Sequence, residues 1–205
     1  MRRREAFAAM EAEGIRVVTP TGAQMWADLP IIVPEIKGML HGSPEKLSIF
    51  DVGGDDVGAR VMASFREHLA DEPYQLLQVI NSRRPFTDTV AGCLKMMNAI
   101  EGMSRLSVTG FIANSHLVTE TTADVILEGY RLAGELAARS GRPLELVTAM
   151  GDLADDPRVA GLDVPVLRLE RIMLPPWLRR EAKNDSAGTV PNPVPAARNK
   201  PIGRP

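Results

Sequence analysis

The chain has 205 residues, of which 44% are hydrophobic, so it is long and apolar enough for one buried core and one folded domain. Its formal net charge of -2 gives no long-range attraction to nucleic acid or to an anionic membrane, and neither is an expected partner. A single cysteine excludes an internal disulfide, and three scattered histidines lack the spacing of a zinc site. No apolar run approaches the length of a membrane span, so we expect a cytoplasmic protein.

The predicted strands are short runs rich in β-branched residues. They are residues 14–20, 47–52, 74–81, 106–114, 143–150 and 164–170. Helix-period segments separate most of these runs, and apolar strands joined through helices are typical of a parallel sheet with helices on both faces. We therefore predict an α/β fold with a mostly parallel sheet.

Three segments carry apolar residues at helical spacing. They are residues 56–70, 88–103 and 121–140. The last of them begins with Thr121 and Asp124, which are spaced as a capping box, and it ends before Gly141, a residue typical of helix C-termini. These helices are the predicted connections between the strands.

Two segments show neither the short β-branched runs of strands nor the apolar spacing of helices. Residues 21–45 contain several prolines and a Gly-Ser-Pro stretch, which predicts a long connection with one short helix. The end of the chain is rich in proline and almost free of large apolar side chains, which predicts a disordered tail. We expect one domain over residues 1–177 and the tail over residues 178–205.

The chemically distinctive stretch is KLSIFDVGGDDVGAR, in which a predicted strand ends at Asp51 and glycines follow. Ligands of parallel sheets bind at the carboxyl ends of the strands, so this turn is a candidate site. The dinucleotide pattern Gly-x-Gly-x-x-Gly and a methyltransferase-type Asp-x-Gly-x-Gly both fail, because Asp55 occupies a position that requires glycine. The phosphate-loop pattern also fails, because Ala59 and Arg60 stand where its lysine and hydroxyl should be.

A fourth interpretation assigns Asp51 to a magnesium ion and lets the backbone of Gly53 and Gly54 approach a phosphate. A carboxylate suits a hard cation, and glycine tolerates the left-handed turn that a closely approaching ligand requires. The alternative is a capped turn that leads into the next helix, because aspartate and glycine are favoured in turns for local reasons. Both interpretations of the turn remain open at this point.

Five blocks of the sequence are distinctive in their order and spacing. They are REAFAAMEAEGIRVVTP, LSIFDVGGDDVGAR, INSRRPFTDT, VTGFIANSHLVTETT and LPPW, which span most of residues 3–177. Together they resemble a bacterial nucleotide-binding group of the ParA/MinD/CobQ-like ATPases. The resemblance implies that Asp51 belongs to the Walker B element beside Mg²⁺, and that Asn114 recognises the adenine of ATP. A carboxamide offers a donor and an acceptor side by side, which complements the edge of that base.

The resemblance also implies a difference from the family. Its members open with a strand and the Walker A loop, and this chain begins after both, so the expected fold is P-loop-NTPase-like but N-terminally truncated. We therefore expect no ATP hydrolysis by this chain alone. In the family the missing strand lies between those that match 47–52 and 74–81, and we expect these two to pair directly or after rearrangement.

Two hypotheses for function follow. The first is a nucleotide-binding remnant of a ParA/MinD/CobQ-like ATPase, which keeps Asp51 and Asn114 but needs a Walker A segment from elsewhere. A protein partner or a homodimer is the expected form of assembly. The alternative is a non-catalytic interaction or regulatory module that has kept the fold and lost the ligand.

Overall fold

A computed structural model describes residues 7–8, 10–18, 38–39, 46–53, 56–69 and 73–170. The α-helices with assigned bounds are α1 (Asp56–Ala63), α2 (Arg66–Leu69), α3 (Val90–Ser104), α4 (Ala123–Ser140) and α5 (Pro157–Ala160). The strands are β1 (Leu77–Ile80), β2 (Gly110–Ala113), β3 (Leu144–Met150) and β4 (Val166–Leu169). Short 3-10 helices lie at Val118–Glu120 and Gly151–Asp155.

The four strands form one parallel sheet in the order β1-β2-β3-β4. Helix α3 connects β1 to β2, α4 connects β2 to β3, and α5 lies between β3 and β4. This architecture confirms the predicted α/β class and the predicted parallel sheet. Each of the four strands lies inside one of the runs predicted from sequence.

Both long helices begin after a threonine that caps them, and α4 ends before a glycine. Thr89 caps α3 by accepting a hydrogen bond from the N–H of Gly92, and Thr122 caps α4 by accepting one from the N–H of Val125. Helix α4 ends at Gly141, as predicted, with a left-handed φ of 70°.

The predicted N-cap of α4 is wrong by one residue. The hydroxyl of Thr121 accepts a hydrogen bond from the N–H of Leu117 and donates one to the carbonyl of Val118. Because these loop contacts occupy Thr121, the next threonine in the chain caps the helix.

Helices α3, α4 and α5 pack on one face of the sheet. Its buried strand residues are Ile80, Phe111, Ala113, Val147 and Ala149, and they join core clusters with Cys93 and Met97 of α3, Ile126 and Leu136 of α4, and Val159 of α5. Each buried large aliphatic or aromatic side chain contributes about 1.5–3 kcal/mol to burial free energy. This one-sided core holds the sheet together.

The opposite face of the sheet carries the alternate strand residues. The pairing register aligns Val79 of β1 with Ile112 of β2, and Ile112 with Leu146 of β3. None of these three joins a buried core cluster among the described residues, and Val79 is 54% exposed. The predicted helices on this second face are therefore not confirmed.

Two of the predicted strands are wrong. Residues 15–18 form no strand, and the N–H of Ile15 bonds back to the carbonyl of Met10. Residues 46–53 also form no strand, and β1 pairs with β2 alone in the described part of the chain, so the predicted pairing of 47–52 with 74–81 is wrong as well.

The segment 46–53 is held by side-chain packing instead of backbone pairing. Phe50 and Val52 pack on a small cluster around Phe65, with the rings of Phe50 and Phe65 5.8 Å apart. Leu47 and Ile49, which alternate with the packed side of the segment, are 87% and 79% exposed. One row of this segment is therefore anchored to the core while the other faces solvent.

Some predictions lie outside the described residues. They are most of the connection predicted over residues 21–45 and the whole tail predicted over residues 178–205. In the part of the chain that the structure describes, no helix has both the length and the apolar character needed to cross a membrane.

Helix α4 approaches the end of β2 most closely at Gly129. A Cβ atom at this position would lie 2.1 Å from Oγ and 2.4 Å from Cβ of Ser115, which is itself buried. A Cβ atom added at Gly134, about one and a half turns further along α4, would have no neighbouring atom within 4 Å. A methyl group would therefore clash with Ser115 at position 129 but would fit without contact at position 134.

We expect Gly129→Ala to lower the free energy of unfolding by about 1–3 kcal/mol, because Ser115 or the helix must move. Gly134→Ala is the matched control and should raise it by about 1 kcal/mol through helix propensity alone. Urea unfolding followed by circular dichroism measures both. Equal stabilisation by the two substitutions would contradict the close packing of α4 on Ser115.

Candidate functional site

The carboxyl ends of the four parallel strands meet at one edge of the sheet, where ligands of such sheets bind. Residues 81–89 follow β1 at this edge, and residues 114–122 follow β2. We call this region the carboxyl edge. Its geometry is set by the contacts between these two loops.

The side chain of Asn81 ties the two loops together. Its Nδ2 donates to the carbonyl of His116 at 3.2 Å, and its Oδ1 accepts from the N–H of His116 at 3.4 Å. The same Oδ1 accepts from the N–H of Arg83 at 2.9 Å. Asn81 therefore serves the structure of the edge, and its amide is occupied by backbone partners.

A second link runs through Ser115. The N–H of Ser82 donates to Ser115 Oγ at 2.9 Å, directly beneath Gly129 of α4. The hydroxyl of Ser82 is buried without a hydrogen-bond partner in the described structure. The ends of β1 and β2 are therefore fixed to each other and to helix α4.

Asn114 is the first residue after β2, and its carboxamide is positioned by β3. Its N–H donates to the carbonyl of Ile80 at 2.8 Å, which continues the sheet ladder. Its Oδ1 accepts the hydroxyl of the buried Thr148 at 2.8 Å. Thr148 therefore restricts the rotation of the amide, and the described residues offer no protein partner to Nδ2.

A cavity of about 160 Å³ opens beside this carboxamide. Its lining is Asn114, Ser115, His116, Thr121, Ile126, Thr148, Ala149, Met150 and Leu169. None of these residues is an arginine, a lysine or an acid. The cavity therefore suits an uncharged group that presents both an apolar surface and hydrogen-bonding atoms.

His116 is the one titratable residue in this lining. Its Nδ1 lies 3.4 Å from the N–H of Val118 and accepts from it. This contact links the ring to the backbone of its own loop.

Two arginines on the neighbouring surface form ion pairs. Arg83 contacts Glu128 of α4, and Arg158 of α5 contacts Asp124 and Asp156. Hydrogen bonds from Arg158 lower the pKa of Asp156, and the same contacts raise the pKa of Arg158. These pairs balance charge on the surface around the edge.

The structure separates the residues that the sequence assigned to one site. Asn114 lines the cavity, whereas Asp51 and Gly53 are exposed and do not line it. Gly54 lies outside the described residues. A Cβ atom at Gly58 would lie 2.1 Å from the carbonyl oxygen of Gly53, so part of the glycine pattern serves tight backbone packing at the start of α1.

A metal centre made of side chains alone is not visible in the described ranges. No group of three or more histidine, cysteine, aspartate or glutamate residues there is arranged to hold an ion. A magnesium ion bound by one carboxylate, with water and phosphate as its other ligands, needs no such cluster.

Sequence reasoning missed two residues that shape the edge. Thr148 is a buried polar residue inside an otherwise apolar strand, and that contrast is the signal that would have found it. Asn81 is the last residue of a predicted strand, and its role as a link between loops depends on the neighbouring loop.

Fold and cavity together define an α/β protein with a small, neutral cavity at the carboxyl edge of a parallel sheet. A scan against protein-family models, a search of curated proteins and a search of solved structures each found no match. The site is therefore interpreted from its own residues.

Cys93 of α3 is buried beneath the first loop of the edge. Its thiol donates to the carbonyl of Thr87 at 3.5 Å, and Nε2 of Gln78 donates to its backbone carbonyl. Burial, and secondarily the charge of Asp88, raise the pKa of the thiol to about 11. The thiolate is therefore scarce at neutral pH, which makes the group inert.

We expect native Cys93 to react with a disulfide reagent at pH 8 on the order of a hundredfold more slowly than in the unfolded chain, because less thiolate is present. The folded pKa lies above the ordinary value of 9.0, so deprotonation of this thiol lowers stability as pH rises from about 9 towards 11. Thiol titration in the presence and absence of denaturant measures the rates. A native rate that follows the pH profile of the unfolded chain would exclude the raised pKa.

Proposed function

We propose that the chain is a nucleotide-binding α/β protein related to the ParA/MinD/CobQ-like ATPases, and that it recognises the adenine of ATP or ADP through Asn114. The observation that carries the proposal is the position of the Asn114 carboxamide, which follows an interior strand and lines the cavity at the carboxyl edge. The order and spacing of the sequence blocks over residues 3–177 support the same family.

The chemistry of the carboxamide suits adenine. With Oδ1 of Asn114 accepting from Thr148, one Oδ1 lone pair and both Nδ2 hydrogens are left for a ligand. An asparagine carboxamide pairs in two places with the N6/N7 edge of adenine, accepting from N6 and donating to N7. Because the hydrogen bond from Thr148 already restricts the amide, little side-chain entropy is lost when the base binds.

The cavity fits the base better than the rest of a nucleotide. Its volume of about 160 Å³ is below the roughly 300–1,000 Å³ of pockets that enclose whole drug-sized ligands. Ile126, Met150 and Leu169 supply apolar surface, and no charged group is present to pair with phosphate. The ribose and phosphates would therefore extend out of the cavity.

In this proposal Asp51, Gly53 and Gly54 contact Mg²⁺ and phosphate outside the cavity, on a segment whose Phe50 and Val52 pack with Leu76 at the amino end of β1. A carboxylate is a preferred ligand of Mg²⁺, and the exposure of Asp51 makes it accessible to a hydrated ion. Ala59 and Arg60 replace the lysine and hydroxyl of a phosphate loop, so the proposed activity is binding and not hydrolysis by this chain alone. A protein partner or a second copy would supply further phosphate contacts.

The proposed location is the cytoplasm. The nucleotides ATP and ADP are abundant there, and the reducing environment keeps a lone thiol such as Cys93 unpaired.

A second candidate function is a non-catalytic interaction module. The observation that favours it is the exposed Val79 on an edge strand that pairs on one side only within the described residues.

Calorimetric titration with Mg-ATP, ADP and GDP tests the role of Asn114. We expect Asn114→Ala to weaken adenine-nucleotide binding about 10- to 100-fold and to remove the preference for ADP over GDP, because a bidentate base contact contributes about 1–3 kcal/mol. Asn98→Ala, the same change on the exposed face of α3, should bind like the unaltered chain. Absence of binding heat in the unaltered chain would remove the nucleotide proposal and leave the interaction module.

The magnesium role of Asp51 is tested separately. We expect the unaltered chain to bind ATP more tightly with Mg²⁺ than with EDTA, and Asp51→Ala to abolish that difference, because the carboxylate ligates the ion. Asp163→Ala, another exposed acid, is the control and should keep the difference. If Asp51→Ala retains the full magnesium effect, the turn at residues 51–54 is only a structural cap.

A further inference from the structure

Two arginines lie in the loops of the carboxyl edge, and they are neighbours in the chain. Residues 81–89 contain Arg83 and Arg84, whereas residues 114–122 contain neither arginine nor lysine. Both side chains are exposed to solvent. The guanidinium groups of these two loops therefore belong to one short stretch after β1.

The two arginines differ in their carboxylate partners. The guanidinium of Arg83 contacts Glu128, and this ion pair crosses from the loop to helix α4. Within the described ranges, no carboxylate forms a salt bridge with the guanidinium of Arg84. Of these adjacent cations, Arg84 is therefore the one whose charge is available to an anion from solution.

A short series of hydrogen bonds connects Arg84 to the wall of the cavity. His116, which lines the cavity, exchanges two hydrogen bonds through its backbone with the side chain of Asn81. The carbonyl of Asn81 in turn accepts the N–H of Arg84 at 3.1 Å. Asn81 thus bonds to the cavity wall and to Arg84 at once, which places Arg84 beside a ligand that extends out of the cavity.

The backbone around Arg84 is fixed by the loop itself. The carbonyl of Arg84 accepts the N–H of Thr87 at 3.2 Å, and the hydroxyl of Thr87 donates to the carbonyl of Asn81 at 2.8 Å. Arg84 therefore sits in a closed turn, and an anion has to order only its side chain. A backbone arranged before binding lowers the entropy cost of binding.

We propose that Arg84 binds the phosphate groups nearest to the base when an adenine nucleotide occupies the cavity. This inference rests on the proposed function, and it adds a phosphate contact at the same edge of the sheet as Asn114. A planar guanidinium presents paired N–H donors that match two oxygens of a phosphate, and its charge strengthens both bonds. Because only the ribose separates the base from the first phosphate, that phosphate leaves the cavity close to its wall.

Calorimetric titration with adenosine and with ADP, both in EDTA, tests the proposal on the full chain without any contribution from Mg²⁺. We expect the unaltered chain to bind ADP more tightly than adenosine. Arg84→Gln should weaken ADP binding about tenfold and leave adenosine binding unchanged, because a charged contact to phosphate is lost. Added salt should weaken ADP binding to the unaltered chain more than to Arg84→Gln, since salt screens an exposed contact.

Arg139→Gln is the matched control. It removes the same charge from an exposed arginine near the far end of α4, about 24 Å along the helix from Ala123. This variant should bind both ligands like the unaltered chain. Because Arg84 and Arg139 are both exposed, both variants should keep the circular dichroism spectrum of the unaltered chain.

The two ligands separate failure of this inference from failure of the proposed function. If the unaltered chain binds adenosine and Arg84→Gln keeps the full preference for ADP, the role of Arg84 is excluded while the base site stands. Equal affinity of the unaltered chain for ADP and adenosine excludes that role too, as does an equal loss of ADP affinity in Arg139→Gln. If neither ligand binds, the proposed function fails and this inference fails with it.

Discussion

The contact between helix α4 and the end of β2 is the constraint on which the rest of the structure depends. Only glycine at position 129 lets the helix approach Ser115 so closely. The hydroxyl of Ser115 can then accept from the N–H of Ser82, and this links the loops that follow β1 and β2. Asn114 lies beside Thr148 because the β2–β3 register pairs the preceding residues, Ala113 and Val147, so helix packing, loop geometry and the candidate site meet at the end of β2.

The two candidate functions rely on different edges of one sheet. The carboxyl edge gathers the polar groups that follow the strands, because parallel strands all end on the same side. The lateral edge at β1 has free backbone groups because no described segment pairs with it. The nucleotide proposal and the interaction-module proposal therefore involve different residues.

The separation of Asn114 from Asp51 changes how the candidate nucleotide site is understood. The carboxamide is held by Thr148 beside a neutral cavity, whereas the carboxylate lies on a segment that packs on the Phe65 cluster through Phe50 and Val52. The group proposed to contact the base is thus preorganised. A contribution of Asp51 to phosphate binding requires the exposed segment to meet a ligand that extends beyond the cavity.

The sequence by itself determined the α/β class, four of the strands and the two long helices, because apolar periodicity and local caps report on burial and on backbone conformation. It also identified Asn114 as a strand-end carboxamide. Only the tertiary structure decided that 47–52 is not a strand, since the same apolar run can be stabilised by packing on Phe65 or by pairing with β1. The roles of Thr148 and Asn81 likewise depended on contacts between residues far apart in the chain, which no local pattern encodes.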